Sequence, residues 1–435
     1  MAEFTVNPSL MIDAAQAVLR GNDMGIFTKP GPKQYPHQWN WDSALIALGL
    51  SYFDLPRALV EINALLSAQW GDGMLPHVVY HGVESDYFPH PEFWMTEKSP
   101  YAPAVETTGI TQPPLLTTIV RQIHKNQAIP DFVKQIYPNL LAWHRWLHTQ
   151  RDADGSGLVC IIHPWESGTD DSPRWLELLA NIKPKGIGEF TRGDTLHVSA
   201  QERPYPEDYQ RFIYLIDLFR KYAYDQAAIL AESPFLVQDV LFNAILYRAD
   251  QDLKALGDEI GADTQVIEGW IEAMNDSFNR RFWQDEDGLY YDFDVRNQKP
   301  IRVSTGLTFL PLFAKLASKA QADRLINDHY HHPDHYARDE QVKFGLTSAS
   351  KRLSWWEPTR YWRGPVWILL NWLVYHGLVD YGFENEAARL REDSLMLMSK
   401  SGFREYYDPR DGRGCGSGRF FWFAVLAVAW SKQKA

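Results

Sequence analysis

One arrangement recurs along this chain and constrains its fold more than any other feature: a cluster of aromatic and polar residues directly precedes an apolar helical run. It is found at Trp39-Asn40-Trp41-Asp42 before Ser43 to Leu50 and at Tyr361-Trp362-Arg363-Gly364-Pro365 before Val366 to Val374. A third copy is Phe420-Phe421-Trp422 before Phe423 to Trp430. Helical periodicity itself runs from end to end, with segments beginning near Pro8, Trp41, Leu55, Thr111, Pro130, Glu207, Val237, Asp263, Ala320, Gly364, Asn385 and Arg419, which predicts about a dozen helices. Strand-like alternation is confined to short pieces, Leu158 to Ile162, Leu289 to Phe293 and Ile301 to Val303, expected as small hairpins at loop ends. The expected fold is therefore all-α.

No low-complexity linker divides the 435 residues and no solenoid repeat is present, so residues 1–435 are expected to form a single domain. In a barrel of inner and outer helices, the loops feeding one end of the inner ring converge on the axis. The aromatic clusters at helix starts would then line one pocket. Two loop-like stretches, near 71–109 and 165–206, are too long for plain connections and rich in Trp, Tyr, Pro and Asp, and they are expected to roof it.

The net charge of -12 and the absence of a basic block argue against a nucleic-acid partner. Two cysteines, Cys160 and Cys415, supply neither a disulfide framework nor a zinc spacing. With no apolar run near membrane-span length and no basic n-region at Met1 to Thr5, the chain is expected to stay in the cytoplasm, off membranes. Its 17 Trp, 21 Tyr and 22 Phe often sit beside Pro, Gly, Asp or Glu. Sugar rings offer apolar C–H faces to aromatic rings while their hydroxyls seek carboxylates and amides, so the pattern suits a small carbohydrate.

Two acidic segments fit that chemistry. Glu166, Asp170 and Asp171 lie in a Trp-flanked loop from His163 to Trp175. An apolar aromatic setting raises a carboxyl pKa enough to keep the proton that a departing glycosidic oxygen needs. Asp170-Asp171-Ser172-Pro173 reads equally as a helix N-cap. The second segment, Phe403 to Pro409, sets Glu405 among aromatics, as a base carboxylate or as a surface ion pair with Arg404 or Arg410. Glycines 412, 414, 416 and 418 lack the context of a phosphate loop and are expected to form a flexible turn. The histidines at 329, 331, 332 and 335 are expected in a polar loop and not on a metal. No metal or cofactor is expected.

Taken together, His37 to Ala44, Gly109 to Pro114, Trp165 to Trp175, Tyr361 to Trp367 and Glu405-Tyr406-Tyr407 resemble glycoside hydrolase family 63. The likeness is greatest to its small bacterial branch acting on mannosylglycerate and glucosylglycerate. The resemblance implies an (α/α)6 barrel, inversion at an α-linked sugar, Asp170 as general acid and Glu405 as general base. It places Tyr35, Trp39, Trp41, Asp42 and Gln112 around the sugar, with Tyr87 closing over it. Trp165, Gly168, Tyr361 and Trp362 would surround the scissile bond. A glycerate leaving group calls for a guanidinium, which grips a carboxylate with two parallel hydrogen bonds. Arg211 stands near the expected place, although it also reads as a helix-surface residue pairing with Glu207 or Asp208. Arg192 is a rival. Where relatives often carry Gln ahead of the last helix, this chain has Arg419-Phe420-Phe421-Trp422, which makes Arg419 a second candidate for the carboxylate. A neutral-oligosaccharide α-glucosidase and a sugar epimerase remain the competing readings. The epimerase requires a facing histidine pair, for which His37, His77 and His163 are the available residues.

Overall fold

The computed structural model describes residues 8–432, and sixteen α-helices carry nearly half of them. Six of these helices form a closed circuit of contacts: Asn40–Ser51, Leu115–Asn126, Val240–Ile260, Leu310–Phe313, Ile368–Asp380 and Phe421–Lys432. Each packs on the next and the last returns to the first. Sequence explains their inner position. Every residue of Asn40–Ser51 is buried, and Ile368–Asp380 is buried on all sides through its first two turns; helices without a polar face belong in a core. Amphipathic helices pack outside them. Leu55–Leu66 covers Asn40–Ser51, Pro8–Gly21 covers Phe421–Lys432, Gln265–Phe282 covers Val240–Ile260, and Glu384–Ser401 covers Ile368–Asp380.

Helix starts differ from the periodic runs for local reasons. The helix expected from Thr111 begins at Leu115, because Pro113 and Pro114 lack N–H groups and disfavour helix in the residue before each. The run expected from Val237 divides at Asp239. Val237–Gln238 is a strand, and the Asp239 carboxylate accepts from the Phe242 N–H to cap a helix starting at Val240.

The short strands do more than close local hairpins. Cys160–Ile161, Val237–Gln238, Asp292–Asp294 and Lys299–Ile301 join in one four-stranded antiparallel sheet. Glycines 412–418 depart most from the expected flexible turn: Gly414–Gly418 is a strand paired antiparallel with Arg404–Tyr407. Gly416 has φ +65°, and a Cβ there would meet Glu405 Oε2 at 2.5 Å. The glycine is what lets this strand press against the carboxylate. Both long roofing segments contain short ordered turns, including Pro91–Trp94, Pro164–Ser167, Pro173–Trp175 and Leu176–Asn181. Cys160 and Cys415 are buried free thiols. Among the described residues, no helix is long and apolar enough to cross a membrane.

Candidate active site

Two adjoining chambers lie where the ring helices start. The first, with about 50 Å³ of free space, is lined by Trp39, Trp41 and Asp42 at one helix start, Gln112 before the next, Trp362 and Trp367 before a third, and Phe420 and Trp422 at the last. Gly168 and Glu405 complete its wall. The second chamber, of similar size, takes Tyr87, Phe88, Trp165, Asp194 and Arg203 from the two roofing segments, with Gln34 and Tyr209 from outside them. Five residues line both: Tyr35, Trp39, His77, Asp170 and Tyr361. A broader cleft of about 720 Å³ lies elsewhere, but its two carboxylates, Glu177 and Asp287, form exposed ion pairs with Lys299 and Arg302. Chemistry selects the two chambers over the larger cleft.

The structure sorts the three carboxylates of the acidic loop by partner. Glu166 is fully buried and bidentate to Arg151 at 2.8 and 2.8 Å, and it caps the backbone N–H groups of Thr111 and Ile162. It is structural. Asp171 is held by Arg363 at 2.8 and 3.0 Å. Among the described residues Asp170 has no ion pair, and the Tyr361 hydroxyl, 3.4 Å from Oδ2, is its side-chain donor. Burial pushes Asp170 up to about 7, with the Asp171 charge adding to the rise and Arg203 opposing it. Such a carboxyl keeps its proton to near-neutral pH. The N-cap alternative also holds, through a different residue: the Ser172 side chain caps Pro173–Trp175.

Glu405 is 1% exposed and far from the surface ion pair that was its alternative. Its carboxylate accepts from Tyr35 Oη at 2.6 Å, from both terminal nitrogens of Arg203 at 3.0 Å, and from the Ser417 N–H at 2.7 Å. Arg404 and Arg410 turn elsewhere, to the Gly416 carbonyl and to Asp408.

A chain of contacts joins the two acids. Asp170 Oδ2 meets Tyr361 Oη at 3.4 Å, Tyr361 Oη meets Tyr35 Oη at 3.3 Å, and Tyr35 Oη meets Glu405 Oε1 at 2.6 Å. Laid end to end these links span about 9.3 Å, so the two carboxyl oxygens are no further apart than that, within the ~9.5 Å upper limit for an inverting pair. Asp42 adds a third buried carboxyl. Burial raises it well above the usual range, the Asp170 and Glu405 charges add to the rise, and Trp422 Nε1 donates to it at 3.1 Å.

Gln112 Oε1 accepts from the Trp41 N–H at 3.2 Å and so pins the first turn of that helix. Gly168, at φ +68°, lies so close to Trp41 that a Cβ would stand 2.4 Å from its ring. Trp362 stacks on Trp367 at 4.0 Å, and Tyr87 sits edge-on to Trp39 at 5.2 Å.

Both arginines expected at the leaving group lie outside the chambers. Arg211 is in the second turn of Pro206–Lys221, where its guanidinium pairs with Asp208 at 2.7 Å, the helix-surface pairing that was its alternative. Arg419 is exposed with φ +53°, and its neighbour Phe420 fills the wall instead. The rival Arg192 is bound to Asp194 and stacks on Tyr209. The guanidinium that reaches the site is Arg203, 1% exposed. Its signal in sequence was slight: an Arg between Glu202 and Pro204, with Pro206 beyond, in a loop otherwise rich in charge.

Among the described residues, no facing histidine pair lines the chambers, where His77 stands without a second histidine. His163 spends both ring nitrogens on the Trp165 N–H and the Phe212 carbonyl, and His37 bonds Ser85. Burial holds His77 and His163 down to about 3. Of the histidines at 329–335, His329 is in a π-helical turn and contacts His335, and among the described residues no group of three His, Cys, Asp or Glu could hold a metal.

Comparison with known proteins gives this geometry a family. Residues 35–422 match the mannosylglycerate hydrolase MGH1-like glycoside hydrolase domain. The chain is 43% identical to a mannosylglycerate hydrolase of Thermus thermophilus, across 96% of this chain and all of that protein. It is 33% identical to a glucosylglycerate hydrolase of Mycolicibacterium hassiacum, across 97% and 98% of the two. The crystal structure of a family 63 mannosylglycerate hydrolase from Thermus thermophilus in complex with Tris and D-glycerate superposes with a TM-score of 0.91 at 42% identity. That match covers 97% of this chain and 100% of the other. The chain belongs to the MGH1-like glycoside hydrolases of family 63.

Proposed function

We propose that this protein hydrolyses an α-mannosyl or α-glucosyl glycerate with inversion, releasing the free sugar and glycerate, on a single (α/α)6-barrel domain. The closed circuit of six helices with amphipathic helices outside it supports the barrel. The observation that carries the reaction is the distribution of the two acids: Asp170 borders both chambers and Glu405 only the first. A general acid must stand at the junction of sugar and leaving group, where the glycosidic oxygen lies. A base that activates water must stand under the sugar alone.

In this reading the first chamber holds the sugar, with Trp39, Trp41, Asp42, Gln112, Gly168, Trp362 and the Tyr35 hydroxyl around it. The second holds glycerate beneath Tyr87 and Trp165. Asp170 delivers its proton to the departing oxygen. Glu405 takes a proton from water as that water attacks the anomeric carbon from the opposite face, and Tyr361 steadies Asp170 between the chambers. Arg203 takes the part expected of Arg211: it faces the leaving-group chamber and holds Glu405 in place. The names of the relatives at 43% and 33% identity favour glycerate glycosides over neutral oligosaccharides. Incubation with α-mannosylglycerate, α-glucosylglycerate and neutral α-disaccharides tests the reading. Release of glycerate with turnover well above that of the disaccharides is expected; cleavage of the neutral sugars alone removes glycerate from it.

A further inference from the structure

His77 is the polar group at the junction of the chambers that the reaction so far leaves unused. It lines both of them and is 5% exposed. Its main chain is fixed on both sides, the N–H donating to the Ile110 carbonyl at 2.7 Å and the C=O accepting from the Asn40 N–H at 3.0 Å. The ring lies near-parallel to Trp165 at 6.2 Å and meets the edge of Trp39 at 6.4 Å, so its orientation is set by packing. Its Nδ1 is buried with no hydrogen-bond partner, and no described residue bonds its Nε2. The other polar junction groups are engaged: Asp170, Tyr361 and Tyr35 belong to the chain that ends on Glu405. Buried polar groups left unpaired are rare because they cost stability, and an imidazole with neither nitrogen bonded, in the wall of both chambers, is suited to bind a ligand there.

Burial keeps the ring neutral, and a neutral imidazole carries one donor and one acceptor, the complement of a hydroxyl. Asp170 marks where the glycosidic oxygen lies. That oxygen is on C1, and the nearest sugar hydroxyl is on C2, the centre at which mannose and glucose differ. Resting on the hydrolase reading above, we propose that His77 binds the 2-hydroxyl of the sugar and sets the preference between the manno and gluco configurations.

Steady-state kinetics on α-mannosylglycerate, α-glucosylglycerate and the 2-deoxy-α-glucoside of glycerate test this with the wild type, His77→Ala and His77→Gln. The expected result is a fall in kcat/KM of ~10–100-fold for His77→Ala on both hydroxylated substrates, as for a buried hydrogen bond to substrate. The two losses should differ by ~5-fold or more, and the 2-deoxy compound should change by less than ~3-fold. Equal loss on all three substrates, or no loss on any, overturns the proposal. If His77→Ala fails to fold, His77→Gln decides. A mannose-to-glucose ratio shifted by ~5-fold, with a melting temperature near the wild type, upholds the role, and an unchanged ratio ends it. Failure of the underlying reading is separate: the wild type itself would then turn over none of the three.

Discussion

Replacing Asp170 by Asn removes a proton donor and, with it, the cost of a buried negative charge. The carboxyl releases its proton near 3.8 in the unfolded chain but only at about 7 in the fold, chiefly through burial. Between those values the native state binds more protons, so its stability falls as pH rises and the whole penalty is present above about 7. At 1.36 kcal/mol per pH unit the full gap is ~4 kcal/mol. The side chain opens onto the chambers, and water there reduces this to ~1–2 kcal/mol. Asn carries no charge at any of these pH values. Its melting temperature should therefore gain on the wild type by ~1–2 °C between pH ~4.5 and ~8, given an unfolding entropy of ~2.1 cal/mol/K per residue. Scanning calorimetry of the two proteins across that range reads the gap directly. Activity should meanwhile fall by ~10²–10⁴-fold, and the wild-type kcat/KM should decline as pH rises through about 7. A melting gap that stays constant from acid to base would refute the argument that Asp170 holds its proton through burial.

Four further outcomes follow from the contacts. Arg203→Lys keeps a cation beside Glu405 but loses the two-pronged grip, so kcat/KM on a glycerate glycoside should drop ~10–100-fold, whereas Arg211→Ala, which breaks a half-buried pair with Asp208, should stay within ~3-fold. Arg363→Met strands the buried carboxylate of Asp171 and leaves Asp208 to Arg211 alone; the expected loss is ~3–5 kcal/mol, read as a melting temperature ~3–6 °C lower and partly restored by adding Asp171→Asn. Gly168→Ala drives a Cβ to 2.4 Å from the Trp41 ring at a φ of +68°, and kcat/KM should fall at least ~10-fold as the indole is displaced from the sugar wall.

What could be read from the sequence is what local pattern encodes. The inner helices announced themselves because Ser43 to Leu50 and Val366 to Val374 are apolar on nearly every side, and the aromatic clusters before them do meet at one chamber. Pairings between distant segments were not legible. Three carboxylates in the acidic loop look alike in sequence; Arg151 and Arg363, reached only through the fold, separate Glu166 and Asp171 from Asp170. Arg203 escaped notice beside Arg211 for the same reason. Arg211 has helical spacing to Asp208 and answers it locally, while the partner of Arg203 lies 202 residues away. Gly414–Gly418 read as a turn because glycine lowers strand propensity; the need for a bare backbone against Glu405 appears only once the strands are paired.

The central claim is that Asp170 and Glu405 act on opposite faces of an α-linked sugar with water between them. It is tested most directly by following, in real-time proton NMR, the first anomer released from α-mannosylglycerate or α-glucosylglycerate before mutarotation. Initial appearance of the β-anomer, absent in Asp170→Asn and in Glu405→Gln, is the predicted result. Initial appearance of the α-anomer would mean retention through a covalent intermediate and would contradict the roles given to both residues.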